Sequence, residues 1–128
     1  MKELPLKIAI ATLAVLAPIK ALLIATGAVI FIDLITGVWR AIKAKEAISS
    51  SIMRRTVTKF LVYQFAIITA FIIQTFLAPE IPMTKLVSSV IGLVEAKSIL
   101  ENLNDIYGTD VFKKLLEKLG SDNAPPKG

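Results

Sequence analysis

Residues 21–41 read ALLIATGAVIFIDLITGVWRA, and this stretch decides the fold. A helix of about 20 mostly apolar residues is long enough to cross the roughly 30 Å hydrocarbon core of a bilayer. Asp33 lies near the middle of the stretch, where a carboxylate costs on the order of 2.5–3.5 kcal/mol on insertion scales. The polar and small residues that share one side of this helix are Thr26, Asp33, Thr36, Gly37 and Arg40. That side therefore faces protein or water rather than lipid.

The composition is that of a membrane protein without enzymatic chemistry. The chain of 128 residues is 55% hydrophobic, and its mean hydropathy is +0.69, which is above what a soluble domain needs for its core. It contains no Cys and no His, which removes thiol and imidazole nucleophiles and the usual zinc ligands. Nothing resembles a catalytic dyad or a phosphate-binding glycine loop. We expect no enzyme activity, no cofactor, no metal and no nucleic-acid partner.

The first 20 residues predict an N-terminal helix that lies in the membrane interface or is partly inserted. They read MKELPLKIAIATLAVLAPIK. Only about a dozen of them, from Ile8 to Ile19, form the apolar run, which is short for a span. Pro18 and Lys20 separate this run from the 21–41 stretch. An additional span over residues 4–17 is the alternative.

Residues 42–59 predict a basic loop, which the excess of Lys and Arg places on the cytoplasmic side of the membrane. Serines 49–51 are N-cap candidates for a helix that begins near Ile52. The basic residues expected to anchor this side at anionic headgroups are Arg40, Lys43, Lys45, Arg54, Arg55 and Lys59. A second apolar run, residues 60–78, then predicts an uncharged span whose polar face includes Tyr63 and Gln74. The partners of Asp33 are expected on this helix, at Lys59, Tyr63 or Gln74.

Residues 83–106 predict a third span, the least hydrophobic of the three. Ser88, Gly92 and Ala96 form a row of small residues that permits close helix approach. Beside this row lies a polar stripe that contains Glu95, Ser98, Glu101 and Asn102. The stripe would either pack against other polar groups or line water. By periodicity alone the helix also fits an amphipathic surface helix or a soluble extension.

The remainder of the chain is expected to lie outside the membrane. Gly108 is expected to end the third span, and residues 109–119 predict a short amphipathic helix capped by Thr109 or Asp110. Residues 120–128 predict a disordered polar tail. The sequence thus predicts an all-α integral membrane protein with about three transmembrane helices (21–41, 60–78 and 83–106), an N-terminal interfacial helix and a C-terminal amphipathic helix.

Two motifs taken together resemble a phage holin family, the toxin-secretion/phage-lysis holin type. The first is Asp33-x-x-Thr36-Gly37-x-x-x-Ala41, followed by serines 49–51 and Lys59. The second, one span later, is Glu95-x-x-Ser98-Ile99-Leu100-Glu101-Asn102. The resemblance covers about residues 33–119. The chain departs from the family pattern at Thr56, where a glycine is usual, and after Tyr107, where a proline is usual.

The resemblance implies a multi-pass protein of the bacterial inner membrane, of phage or prophage-like origin. Such a protein associates with copies of itself and opens a non-selective lesion, which releases a cell-wall-degrading endolysin or a toxin. From the residues alone, two other functions stay open: a small ion channel or transporter subunit, and a non-permeabilising membrane anchor of a secretion apparatus. The residues expected to join the copies or line the pore are Asp33, Thr36, Gly37, Tyr63, Gln74, Ser88, Gly92, Glu95, Ser98, Glu101 and Asn102.

Overall fold

The computed structural model describes residues 2–108 and 110–122, and every regular element in these residues is helical. The all-α fold class is confirmed for this part of the chain. The elements are α1 (Leu4–Leu16), a 3₁₀ turn (Ala17–Ile19), α2 (Lys20–Lys43), α3 (Ser50–Ile72) with a π-helical end (Ile73–Leu77), α4 (Met83–Tyr107) and α5 (Val111–Asp122).

The N-terminal helix runs into α2 through a single 3₁₀ turn. Pro18 lies in this turn, where its missing N–H interrupts the α-helical hydrogen bonds. The helical pattern resumes at Lys20, so the predicted separation between the two helices is a change of helix type rather than a gap. Residues 4–15 are all exposed.

The core of the molecule is a bundle of α2, α3 and α4. α2 packs most extensively against α4, and α3 contacts both. At the end away from the α2–α3 loop, the bundle buries an isoleucine cluster of Ile19, Ile67 and Ile91. Gly27 lets α2 and α3 approach closely, because a Cβ atom there would lie 3.2 Å from Cε2 of Phe60.

The outside of the bundle is largely apolar. Phe31, Phe65 and Leu93 are among many large apolar side chains that are more than half exposed, as expected for a surface in contact with lipid. Two helices, Leu4–Lys43 and Ser50–Leu77, are each long and apolar enough to cross a membrane. α4 is not among them: its 25 residues carry five charged side chains, so the third span stays a prediction.

The C-terminal helix is longer than predicted. α4 ends at Gly108, which adopts a left-handed conformation with φ of 77°. Asp110 Oδ1 then accepts a hydrogen bond from the Lys113 N–H at 2.9 Å, which caps α5. α5 continues through Gly120 to Asp122, because an exposed glycine costs a helix only about 1 kcal/mol. Thr109, the other cap candidate, and residues 123–128 of the predicted tail lie outside the described residues.

Candidate functional site

Charged residues of all three bundle helices meet in the interior. Lys59 Nζ on α3 donates hydrogen bonds to Asp33 Oδ2 on α2 at 2.7 Å and to Glu95 Oε2 on α4 at 2.9 Å. The side chains of Lys59, Asp33 and Glu95 are only 19%, 14% and 1% exposed. One ammonium group therefore bridges two carboxylates on different helices, and we call these three residues the charged triad.

Two further side chains of α4 complete the surroundings of Asp33. Ser98 Oγ donates to Asp33 Oδ1 at 2.7 Å, and Asn102 Nδ2 donates to the same oxygen at 3.2 Å. These α4 residues are four positions apart and hence share one face of the helix. With Lys59, they give the Asp33 carboxylate three donors, which offset the cost of removing it from water.

Glu95 is the most deeply buried charge among the described residues, and both of its oxygens have partners. The Tyr63 hydroxyl, one helical turn after Lys59, donates to Glu95 Oε1 at 3.0 Å. The Lys59 ammonium occupies the other oxygen. Removing one partner of such a buried pair costs about 3–5 kcal/mol, because the remaining charge is left uncompensated. The triad therefore ties the positions of α2, α3 and α4 together.

Thr36 and Gly37 lie next to the triad. Asn102 Nδ2 donates to Thr36 Oγ1 at 3.1 Å, while the Thr36 hydroxyl donates to the Ile32 carbonyl at 2.9 Å. A Cβ atom at Gly37 would meet Asn102 Nδ2 at 3.6 Å, an ordinary contact. The helix approach at this level thus leaves room for a small side chain at Gly37.

The structure brings together only part of the predicted pore and assembly set. Gln74 Oε1 accepts a hydrogen bond from the Thr84 N–H at 3.0 Å, in the α3–α4 connection. Gly92 and Glu101 are exposed, and Glu101 faces Lys97 at 3.9 Å. Ser88 donates to the Thr84 carbonyl of its own helix at 2.7 Å. The roles predicted for these residues in joining copies stay predictions.

Lys59 is not the surface anchor that its position in the basic loop suggested. Its charge is inside the bundle, whereas Lys45, Arg54 and Arg55 are exposed. The number of basic residues in the loop does not show which of them anchor at headgroups and which enter the bundle. The location of each basic side chain depends on whether carboxylates of other helices lie within its reach. As the expected partner of Asp33, however, Lys59 makes the direct contact, and Tyr63 is linked through Glu95.

The other predicted anchors lie near the loop ends of the helices. Arg40 faces Asp105 at 3.6 Å in a half-exposed pair, and Lys43 Nζ donates to the Ile106 carbonyl. Both contacts join the end of α2 to the end of α4.

Two residues that support the site carry little signal in the sequence. Gly27 gives α2 and α3 their close approach, and Gln64 Nε2 donates to the Leu23 carbonyl across the same contact at 3.0 Å. Gln64 could have been singled out because it is a polar residue inside the apolar 60–78 run. The sequence gives no indication that the Gln64 side chain bonds a backbone carbonyl of another helix.

The fold and the site define a helical membrane protein with a charged network inside its bundle. The chain matches the Bacteriophage holin family over residues 11–121. It belongs to that family, which confirms the resemblance seen in the two motifs. No curated protein and no solved structure shows significant similarity to it. The chain is thus a membrane protein of phage origin with a holin-type function, and holins are not a family of enzymes.

Proposed function

We propose that this protein is a lysis holin that forms homo-oligomers in the bacterial inner membrane and opens a non-selective lesion. Endolysin or a toxin would leave the cytoplasm through that lesion. The observation that supports this function is the charged triad of Asp33, Lys59 and Glu95, which places polar groups inside a bundle with an apolar exterior.

A lesion that passes folded proteins needs a wall that tolerates water. The apolar outer surface of the bundle cannot supply it, whereas the inner faces of α2 and α4 carry Asp33, Glu95, Ser98 and Asn102. In the single chain these groups are bonded inside the bundle: Asp33 accepts from Ser98 and Asn102, and Glu95 accepts from Lys59 and Tyr63. A hydrogen bond to a charged group contributes only about 1.5–3 kcal/mol, because water replaces the partner when the bond is broken. Separation of the helices within an assembly can therefore turn the inner faces toward water.

The proposed topology places α2, α3 and α4 across the membrane, with the α2–α3 loop and α5 on the cytoplasmic side. The turn at Pro79–Pro82 would then be outside. A helix of 40 residues, such as Leu4–Lys43, is about 60 Å long, twice the thickness of the hydrocarbon core. This excess length supports an interfacial or partly inserted α1.

The function is tested by expressing the protein alone in a bacterium and following membrane potential and release of a cytosolic enzyme. We expect growth to stop abruptly after a delay, with loss of potential and release of the enzyme. Co-expressed endolysin should then reach the cell wall.

Two outcomes would replace the proposal by its rivals. Ion-specific conductance while the enzyme is retained would indicate a channel or transporter subunit. Full potential in cells whose membranes contain abundant protein would indicate an anchor.

A further inference from the structure

A cavity of about 130 Å³ lies between α2, α3 and α4. Its walls include Arg40, Arg55 and Thr56, near the loop that joins α2 to α3, and its inner end is formed by Asp33 and Lys59. The cavity therefore connects the loop side of the bundle with two members of the charged triad.

On the other side of the triad the interior becomes apolar. Along α3, Lys59 is followed by Tyr63 and then by Ile67, about 12 Å further from the loop. Along α4, Glu95 is preceded by Ile91. Ile67 is 0% exposed and Ile91 is 8% exposed, and both belong to the isoleucine cluster. The bundle thus has three successive layers from the loop side: a polar cavity, the charged triad and the isoleucine cluster.

We propose that the cavity is a water-filled vestibule that admits small hydrophilic solutes from the loop side as far as Lys59 and Asp33, and that the isoleucine cluster closes it at the other end. A water molecule needs only about 10–15 Å³ of such space and two to four polar partners, so the cavity holds several. Charged groups inside membrane proteins are stabilised by water-filled cavities, and apolar constrictions stop permeation by excluding water.

The charges at the entrance favour anions. Arg40 and Arg55 both line the cavity, whereas the two carboxylates of the charged triad share the Lys59 ammonium at its inner end. Asp105 lies 3.6 Å from Arg40 but does not line the cavity. An entrance lined by two guanidinium groups raises the local concentration of small anions. The proposal rests on the membrane placement of α2–α4 in the proposed function, and not on formation of a lesion.

The vestibule is tested by cysteine accessibility, for which the cysteine-free chain is suited. Single variants of the full-length protein are made in bacterial membranes: Thr56→Cys in the cavity wall, Leu61→Cys on the outer apolar face of the same helix, and Ala70→Cys beyond Ile67. Ser50→Cys marks the loop side and Glu80→Cys the opposite side. Inverted vesicles and spheroplasts are prepared from cells that still hold their membrane potential. Both preparations are treated with two small membrane-impermeant methanethiosulfonates, one anionic and one cationic.

We expect Thr56→Cys to react only from the side on which Ser50→Cys reacts, at least about tenfold faster than Leu61→Cys or Ala70→Cys, since water is needed to form the thiolate. At Thr56→Cys, the reaction rate with the anionic reagent divided by the rate with the cationic reagent should be severalfold higher than the same ratio at Ser50→Cys. Leu34→Cys, on the opposite wall of the cavity, should behave in the same way and replaces Thr56→Cys if that variant does not accumulate. A wall cysteine that reacts from neither side, or equally from both, overturns the vestibule.

The seal is tested by adding a second substitution to Ala70→Cys. Ile67→Ser should let the reagent reach Ala70→Cys from the loop side, whereas Ile72→Ser, on the exposed face of the same helix, should not. If Ala70→Cys reacts rapidly without any second change, or stays unreactive with Ile67→Ser, the isoleucine cluster is not the seal. Because the measurement uses cells before lysis, its failure leaves the lysis function untouched, and a failure of lysis leaves the accessibility result standing.

Discussion

The two sides of α4 differ in how far the single chain covers them. On the inner side, Glu95 is 1% exposed and both of its carboxylate oxygens are bonded within the chain. On the outer side, Gly92 is exposed, and apart from its chain neighbours and the backbone of its own helix no described atom lies within 4 Å of the position its Cβ would take. The same helix therefore carries a polar stripe whose hydrogen bonds are made within the single chain, and an exposed Gly92 that no other helix of the described structure covers.

The comparison predicts that inner-side changes alter the stability of one chain and, through the bundle, its association with other chains. Outer-side changes are predicted to alter association alone. A stability measurement in detergent and a crosslinking measurement in membranes distinguish the two effects. The predictions below run from the largest expected effect on chain stability to the smallest.

The largest effect is expected from Lys59→Met, which leaves two buried carboxylates without their shared cation. The loss should be about 3–5 kcal/mol, seen as a fall in the thermal unfolding midpoint on the order of 10 °C. Lys97→Met is the matched control, because the Lys97 side chain is 80% exposed. Adding Asp33→Asn and Glu95→Gln to Lys59→Met should restore much of the loss, since no charge is then left unpaired. An unchanged midpoint in Lys59→Met would show that the triad does not hold the bundle together.

Asp33→Leu removes the acceptor of three hydrogen bonds but also a charge that is costly to insert. We expect the variant to insert more readily and to lose both oligomers and membrane opening. Asp33→Asn should keep part of the activity, because its amide oxygen still accepts from Ser98. Crosslinking and the lysis time course check this. Wild-type oligomers and undiminished lysis in Asp33→Leu would leave the residue with no organising role, and the contact between copies would then be sought on the Ser88–Gly92–Ala96 face.

Tyr63→Phe should have a smaller effect, because it removes one hydrogen bond to Glu95 and leaves the Lys59 contact in place. Hydrogen bonds to charged groups contribute about 1.5–3 kcal/mol, so the midpoint should fall less than in Lys59→Met. The same detergent melt measures it. A loss as large as that of Lys59→Met would mean that Tyr63, rather than Lys59, compensates the buried charge.

The smallest effect on the single chain is expected from Gly92→Leu, which places a side chain into open space. The unfolding midpoint should stay near that of the wild type, while crosslinked oligomers in membranes decrease because the small-residue row is filled. Gly27→Leu is the counterpart, since its side chain would collide with Phe60 and lower the midpoint. Unchanged oligomers in Gly92→Leu would assign association to another surface.

Much of the fold follows from patterns that are local in the sequence. The long apolar runs predict the helices around residues 21–41 and 60–78, and the spacing of Glu95, Ser98 and Asn102 predicts a polar stripe on one face of α4. The low hydropathy of α4 does not decide whether the helix crosses the membrane. The same pattern of charged residues fits a helix whose charges face a bundle interior and a helix whose charges face water. The continuity of α1 and α2 was also not predictable, since a proline near a helix start breaks a helix in some contexts and is accommodated by a 3₁₀ turn in others.

The sequence by itself determined the class: a helical membrane protein without thiol or imidazole chemistry, with Asp33 in need of a partner and two motifs that resemble phage holins. Only the tertiary structure decided which of the expected partners meets that carboxylate. By sequence Lys59, Tyr63 and Gln74 are all candidates, and the packing of α2, α3 and α4 places Lys59 between Asp33 and Glu95 in the described structure. Helix periodicity is a local property of the chain, whereas the pairing of side chains 26 and 36 positions apart depends on how the helices are packed.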